Sequence, residues 1–321
     1  MKTGVLLFNL GGPETLDDVK PFLYQLFSDP EIIRIQWTPL RKAVAYTIAT
    51  LRKRKSQGYY AQIGGGSPLR RLTEEQARAL QGELERRRRG TQVFVGMCAW
   101  RPFLAEAMSE IAARGIQRLV ILPLFPQYSV TTTGGGFAVL NRIIERKKEF
   151  SDIDVTWVRS WQHDPGYISA FAGSIAAELA KFPDPEQVHL LFSAHSIPES
   201  YVREGDPYLD QTRQTMEAIM DALGRRNSYQ LSFQSKIGPV KWLEPATNDV
   251  ILELGQKKTP ATLIVPISFV SEHIETLYEL DILYKKVAKD AGLVDLRRVP
   301  TLNSDPAFIA ALADIVERAL S

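Results

Sequence analysis

Eight short apolar runs, each followed by a longer stretch of helical character, restrict the fold of this chain more than any other feature. They lie at 5–8, 92–95, 118–122 and 155–158 in the first half, then at 189–192, 229–233, 262–267 and 296–298 in the second. Apolar runs this short read as strands buried on both faces, and strands that alternate with helices pair in parallel. The order βαβα in each half predicts an α/β chain with two parallel sheets, each flanked by helices. Thr15 followed three residues later by Asp18 reads as a capping box and predicts a helix from 15 to about 27.

The two halves resemble each other. Val5-Leu6-Leu7-Phe8-Asn9-Leu10-Gly11-Gly12-Pro13-Glu14 can be set against His189-Leu190-Leu191-Phe192-Ser193-Ala194-His195-Ser196-Ile197-Pro198-Glu199. Leu119-Val120-Ile121-Leu122-Pro123-Leu124-Phe125-Pro126 matches Leu263-Ile264-Val265-Pro266-Ile267-Ser268-Phe269-Val270. The two separations differ, so the pattern is a duplicated domain with insertions rather than a solenoid. At 321 residues the chain fits two domains. The expected division is 1–160 and 161–321, with the C-terminal helix free to pack back on the first domain. Open α/β sheets bind ligands beyond the carboxyl ends of their strands, so a cleft between the domains is the expected site.

Chemistry concentrates at those strand ends. The segment Ser268-Phe269-Val270-Ser271-Glu272-His273-Ile274-Glu275-Thr276-Leu277-Tyr278-Glu279-Leu280-Asp281 carries four carboxylates and a histidine. Glu275 and Glu279 are four apart and stack on one helix face, where like charges repel. A cation or a proton-accepting role would offset the repulsion; the alternative is a solvated face. His195 falls just past the run at 189–192, as Glu275 falls past 262–267. A loop histidine is ordinarily a plain hydrogen-bonding residue. Imidazole and carboxylate together at strand ends suit a borderline divalent metal, or proton abstraction near neutral pH.

Composition removes several other classes. The net charge of +2 gives no reason to expect a nucleic-acid partner. Basic clusters stand at Arg52-Lys53-Arg54-Lys55 and Arg86-Arg87-Arg88-Arg89. The second suits a helix C-terminus; the first could meet anionic lipid headgroups or end a solvated helix. Cys98 is the only cysteine, which leaves no disulfide framework or cysteine-ligated cluster within the chain. No apolar run reaches the roughly 18 residues needed to span a membrane. Gly11-Gly12-Pro13-Glu14 follows the first run where a leader peptide would have its cleavage site, so a cytoplasmic protein is expected.

Gly64-Gly65-Gly66-Ser67-Pro68 and Thr131-Thr132-Thr133-Gly134-Gly135-Gly136 fit neither phosphate-loop pattern. They read as turns or as points of close backbone approach to a flat ligand. Tyr59, Tyr60, Phe125, Tyr128 and Trp242 recur near these loops and suit either core packing or a planar apolar ligand.

Several separate motifs now carry a family resemblance. Phe192-Ser193-Ala194-His195-Ser196-Ile197-Pro198 with Gly205-Asp206-Pro207-Tyr208 resembles the ferrochelatase signature. So do Gln234-Ser235-Lys236-Ile237-Gly238-Pro239 with Trp242-Leu243, and Ser271-Glu272-His273-Ile274-Glu275-Thr276-Leu277-Tyr278. Asn9-Leu10-Gly11-Gly12-Pro13-Glu14-Thr15, Ile63-Gly64-Gly65-Gly66-Ser67-Pro68 and Pro126-Gln127-Tyr128-Ser129 extend the match over nearly the whole chain. The resemblance implies two similar Rossmann-like domains of the chelatase fold. It implies a lyase of haem biosynthesis that inserts Fe2+, a substrate rather than a cofactor, into a porphyrin and releases two protons.

By the same resemblance His195 and Glu275 are the catalytic pair, and His195, Glu275 and Glu279 meet the metal. The helix bearing the carboxylates is expected to contain a π-type widening, and the porphyrin to be bent out of plane. Leu10, Tyr60, Ser67, Tyr128 and Trp242 match porphyrin-binding positions, and residues 22–27 match a lip that gives some relatives membrane contact. Helix packing would equally explain that apolar stretch. Two departures stand out: Cys98-Ala99 replaces an expected arginine and its neighbour, and Leu283 replaces a third acid, with Asp281 the nearest substitute. No cysteine-rich tail is present, so no iron–sulfur cluster is expected. The rival readings are a porphyrin or haem carrier that does not metallate, and a chelatase for another divalent metal. A zinc deaminase, suggested by His273-Ile274-Glu275, fails because its P-C-x-x-C needs two cysteines and only Cys98 exists.

Overall fold

The computed structural model describes residues 1–87, 90–236, 238 and 240–321. Of the predicted motifs, Arg88, Arg89, Ile237 and Pro239 lie outside the described residues. Contacts divide the chain into two compact units, Met1–Ser160 with Leu312–Ser321, and Trp161–Ala311.

In the first unit, β1 (Thr3–Asn9) is buried at every residue, as a central parallel strand covered on both faces must be. It pairs in parallel with β2 (Thr91–Met97) and with β3 (Arg118–Pro123), and β3 pairs with β4 (Asp154–Trp157). The sheet order is β2-β1-β3-β4. The helices α1 (Val19–Phe27), α2 (Thr38–Ala61), α3 (Leu69–Arg87), α4 (Leu104–Ala113) and α5 (Gly135–Arg146) cover this unit. Leu6, Phe8, Met108, Ile111, Ile121 and Leu140 form part of its core. Each such side chain contributes about 1.5–3 kcal/mol by leaving water.

The second unit repeats the plan. Its strands are β5 (Val188–His195), β6 (Tyr229–Gln234), β7 (Ala261–Val265) and β8 (Asp295–Arg298). Every pairing is parallel, in the order β6-β5-β7-β8. The helices are α6 (Pro165–Leu179), α7 (Glu199–Arg203), α8 (Tyr208–Ala222), α9 (Thr247–Gln256) and α10 (Lys285–Asp290). Finally, α11 (Pro306–Leu320) runs from this unit into the first. All eight expected strands are present, and in each unit the third is followed by a π-helical segment: Val130–Gly134 after β3, Glu275–Tyr284 after β7. The register refines the repeat. Leu119 pairs with Gly4 and Leu263 with Leu190, so the first and fifth runs align two residues away from the sequence match. In this alignment Asn9, last in β1, stands where His195 is last in β5.

Three boundaries differ from expectation. The first helix starts at Val19 rather than Thr15, because Asp18 Oδ2 takes both the backbone N–H and the hydroxyl of Thr15, at 2.9 and 2.8 Å. That completes half of a capping box and leaves 15–18 as a turn. β5 extends through His195, which pairs with Gln234 and is therefore a strand residue. β7 stops at Val265, since Pro266 has no N–H to continue the ladder.

The apolar stretch 22–27 lies in α1, with Phe22, Leu23 and Phe27 buried. Arg87 pairs with Glu83 and Asp314, and with Glu317 at 3.3 Å, which ties the end of α3 to α11 within the first unit. Among the described residues no helix is long and apolar enough to cross a membrane.

Candidate active site

His195 and Glu275, eighty residues apart in sequence, meet in the second unit with Nδ1 of the imidazole 2.7 Å from Oε2 of the carboxylate. Strand β5 places the first and the segment after β7 places the second. The backbone of His195 is held on both sides. Its N–H donates to Ser268 Oγ at 3.0 Å and its carbonyl lies 2.9 Å from the Tyr208 hydroxyl. That hydroxyl also sits 2.9 Å from Ser268 Oγ, so the Gly-Asp-Pro-Tyr motif fixes the strand end.

The π-helix sets the carboxylates. Thr276, Leu280 and Tyr284 are buried at a spacing of four, while Glu275 and Glu279 occupy the adjoining stripe. An α-helix turns every 3.6 residues, so positions four apart drift; the wider i→i+5 turn brings them closer to alignment. Leu280 and Tyr284 anchor that turn in the core with Leu191, Ile251 and Ile264.

Ser235 joins the two carboxylates. Its hydroxyl lies 2.9 Å from Glu275 Oε2 and also contacts Glu279 Oε2, while its N–H donates to Glu279 Oε1 at 3.0 Å. Gln234 and Tyr284 donate to Glu279 as well, at 3.2 and 3.0 Å. Ser235 holds a left-handed φ of +66°, a conformation costly for a side-chain-bearing residue and concentrated at functional sites. Beneath it, Ser193 Oγ meets Gln234 Oε1 at 2.7 Å and Thr247 Oγ1 at 2.8 Å, which fixes the amide that serves Glu279.

The electrostatics follow from this packing. Burial disfavours the charged imidazole of His195, but the Glu275 carboxylate outweighs it and raises His195 above its ordinary 6.5. Burial likewise opposes the Glu275 charge, yet His195, and next His273, hold that carboxyl well below the usual carboxylate range. Glu279 is pushed upward, first by burial and then by the neighbouring Glu275. His273 is held down by burial and keeps its Nδ1 3.1 Å from the Ser271 carbonyl. Among the described residues no group of three or more His, Cys, Asp or Glu side chains is arranged to hold a metal ion.

The other expected residues lie where their own units put them. Trp242 is half-buried in the second unit, its backbone bridged to Pro198. In the first unit Tyr60 is buried, and its carbonyl accepts from Gly65 at 2.9 Å. The Ser67 N–H donates to the Pro13 carbonyl at 2.7 Å, close behind Leu10 in sequence. A Cβ on Gly66 would stand 2.0 Å from the Glu14 carbonyl oxygen, so this glycine run exists for close backbone approach. Tyr128 carries the Arg159 guanidinium 5.5 Å over its ring.

Both departures have a structural outcome. Burial, with Asp29 adding to it, pushes the Cys98 thiol up to about 12, which keeps it protonated. Asp281, the nearest acid to Leu283, has its carboxylate held by Arg298 at 2.9 and 2.7 Å. Sequence reasoning did not single out Ser235, Gln234, Tyr208 or Ser268 as site residues. The segments containing all four were visible, but the positive φ of Ser235 and the contacts that give them work were not.

Both the fold and the sequence of this chain are similar to those of known proteins. SirB from Bacillus subtilis, solved with Fe3+, superposes with a TM-score of 0.56 at 12% identity, covering 99% of this chain and 96% of that one. Identity that low speaks for the fold alone. The ferrochelatase of Synechococcus elongatus is 53% identical over 320 residues, 99% of this chain and 83% of that protein. The ferrochelatase of a Synechocystis strain is 50% identical over 321 residues, 100% of this chain and 83% of its own. The sequence profile described as Ferrochelatase matches residues 2–320. This chain therefore belongs to the ferrochelatase family, the enzymes that insert ferrous iron into a porphyrin.

Proposed function

We propose that His195 is the base of iron insertion and that Glu275 and Glu279 receive the cation and the charge released with it. Each ferrous ion that enters the macrocycle displaces two pyrrole protons, so the site must accept protons while it handles a dication. The hydrogen bond between His195 Nδ1 and Glu275 Oε2, at 2.7 Å, is the observation that carries this reading. It keeps the Nδ1 proton on the carboxylate side and leaves Nε2 as the basic atom. Glu275 stays anionic beside it and offsets the positive charge that forms on the ring. Glu279, raised in proton affinity and close to Glu275 through Ser235, suits the second proton once the metal has moved on. Below its raised pKa the imidazole is already protonated, so the base is available only above it.

Leu10, Tyr60, Ser67 and Tyr128 of the first unit and Trp242 of the second are assigned as porphyrin contacts. Support comes from motif positions and from flat aromatic or small side chains at the loops concerned. A cytoplasmic setting beside the membrane is proposed from exposed Trp37, Leu40 and Leu51, which accompany Arg54 and Lys55 on or next to α2. The test of the central assignment is an anaerobic absorbance assay with ferrous iron, offering protoporphyrin IX and coproporphyrin III in parallel. Conversion of at least one porphyrin, lost in His195→Ala while porphyrin binding persists, is expected. Undiminished turnover in that variant would remove the base.

A further inference from the structure

Arg298 ends β8, its backbone in register with Ile264 of β7, and its side chain is only 10% exposed. Its guanidinium makes a two-pronged contact with Asp281, Nε to Oδ1 at 2.9 Å and a terminal nitrogen to Oδ2 at 2.7 Å. The other terminal nitrogen donates to Glu272 Oε1 at 2.8 Å and to the Val299 carbonyl at 3.1 Å. Glu272 is itself fixed, since Oε1 accepts from the Thr301 N–H at 3.1 Å and its own N–H donates to Asn303 Oδ1 at 3.1 Å. The only other cation near Asp281 among the described residues is Lys285, at 3.9 Å and half exposed.

Those two acids lie on either side of the metal-handling residues. Glu272 precedes Glu275 by three positions, and Asp281 follows Glu279 by two. A π-helix is a rare geometry that a sequence does not hold by backbone propensity. It persists where tertiary contacts impose it. A planar, bidentate arginine suits that task because its fork fixes direction as well as charge, which a lysine ammonium does not.

We propose that Arg298 is a positioning residue for metal insertion, pinning the wide helix at Asp281 and the segment just before it at Glu272, and so setting Glu275 and Glu279 against His195. This rests on the assignment of those carboxylates given above. Arg298 thereby keeps the helix that bears them in register. It also gives Asp281 a role. The carboxylate is directed to Arg298 at the end of β8.

The test compares Arg298→Lys and Asp281→Asn with Glu275→Gln and Glu279→Gln, measuring thermal midpoint and separate KM values for ferrous iron and porphyrin. Arg298→Lys keeps the charge that Glu272 needs and removes the fork. It is expected to raise the iron KM roughly tenfold, the usual scale for a partner that orients a metal-handling group. The porphyrin KM should stay at its wild-type value. Asp281→Asn should act in the same direction, and the double variant should be no worse than the more affected single one. A lowered midpoint with wild-type iron and porphyrin KM in both single variants would make the cluster an ordinary structural ion pair and overturn the proposal. If Arg298→Lys does not fold, Asp281→Asn decides alone, since Arg298 and Glu272 remain paired in it. Should Glu275→Gln and Glu279→Gln both keep wild-type iron kinetics, the underlying assignment fails. Impairment in those two with none in Arg298→Lys or Asp281→Asn refutes only the positioning role.

Discussion

Replacing Ser235 by alanine removes one hydroxyl placed between two carboxylates and leaves the rest of the site in place. In the structure that hydroxyl is 2.9 Å from Glu275 Oε2 and in contact with Glu279 Oε2. It has a single proton, so it donates to one carboxylate at a time, and one charged hydrogen bond is lost rather than two. Such a bond is worth about 1.5–3 kcal/mol. At about 1.4 kcal/mol per factor of ten, the expected loss in kcat/KM for iron is about ten- to a hundredfold. The backbone supplies a control. At φ +66° a residue with a Cβ carries a penalty of about 1–2 kcal/mol. Glycine avoids it but loses about 0.4–1 kcal/mol to the greater freedom of its unfolded chain. Ser235→Gly should therefore be more stable than Ser235→Ala by about 0.5–1 kcal/mol and equally impaired. Anaerobic iron-insertion kinetics with thermal melts of the three proteins decide the matter. Wild-type kcat/KM in the alanine variant would refute the bridging role. A large activity difference between alanine and glycine would place the effect in the backbone instead.

His195→Ala should lower the insertion rate by about 10²–10⁴-fold, the range for loss of a general base, and porphyrin binding followed by fluorescence should persist. Because Glu275 raises His195 above 6.5 while burial lowers it, proton NMR should find the imidazole pKa above 6.5 in the wild type and below it in Glu275→Gln. A pKa that does not move would contradict the coupling. His189, at the other end of β5, behaves oppositely: burial, then Lys257, depress its pKa, and its Nε2 is buried with no hydrogen-bond partner. Its unfolded form binds the proton first, so stability is lost as pH falls through about 6.5. Urea midpoints at pH 7.5 and 5.5 should therefore diverge more in the wild type than in His189→Gln, and equal slopes would refute this. The Cys98 thiol, with a pKa near 12, should react with iodoacetamide far more slowly at pH 8 in the native protein than in urea. Comparable rates would refute the protection of this thiol.

Much of this fold is written in local pattern. Eight apolar runs of strand length, separated by helical stretches, lead directly to two parallel sheets because neither feature depends on distant residues. The pair His195 and Glu275 was legible for a related reason: both fall at strand ends, and strand ends in such sheets converge. What stayed hidden depends on the approach of distant segments. Thr15 looks like a helix start, but which atoms Asp18 binds decides whether 15–18 is helix or turn. Asp281 looked free to take a metal because its partner, Arg298, is seventeen residues away on a strand. Ser235 is unremarkable until its φ and its two carboxylate neighbours are known.

Two sheets strung in the same order also bear on how the chain can change over generations. At the end of β1, Asn9 occupies the counterpart of His195, and its amide is consumed by the Leu10 N–H at 2.8 Å and by Thr73 Oγ1 at 3.3 Å. After β3 the π-helical segment is a valine, three threonines and a glycine, whereas the one after β7 carries Glu275, Glu279 and Asp281. One copy of the plan thus carries the acids and the base at these positions, and the other does not. Mutational tolerance should follow that asymmetry: Asn9 and 131–133 answer to packing and local hydrogen bonds, whereas His195 and Glu275, on the roles proposed above, answer also to the reaction.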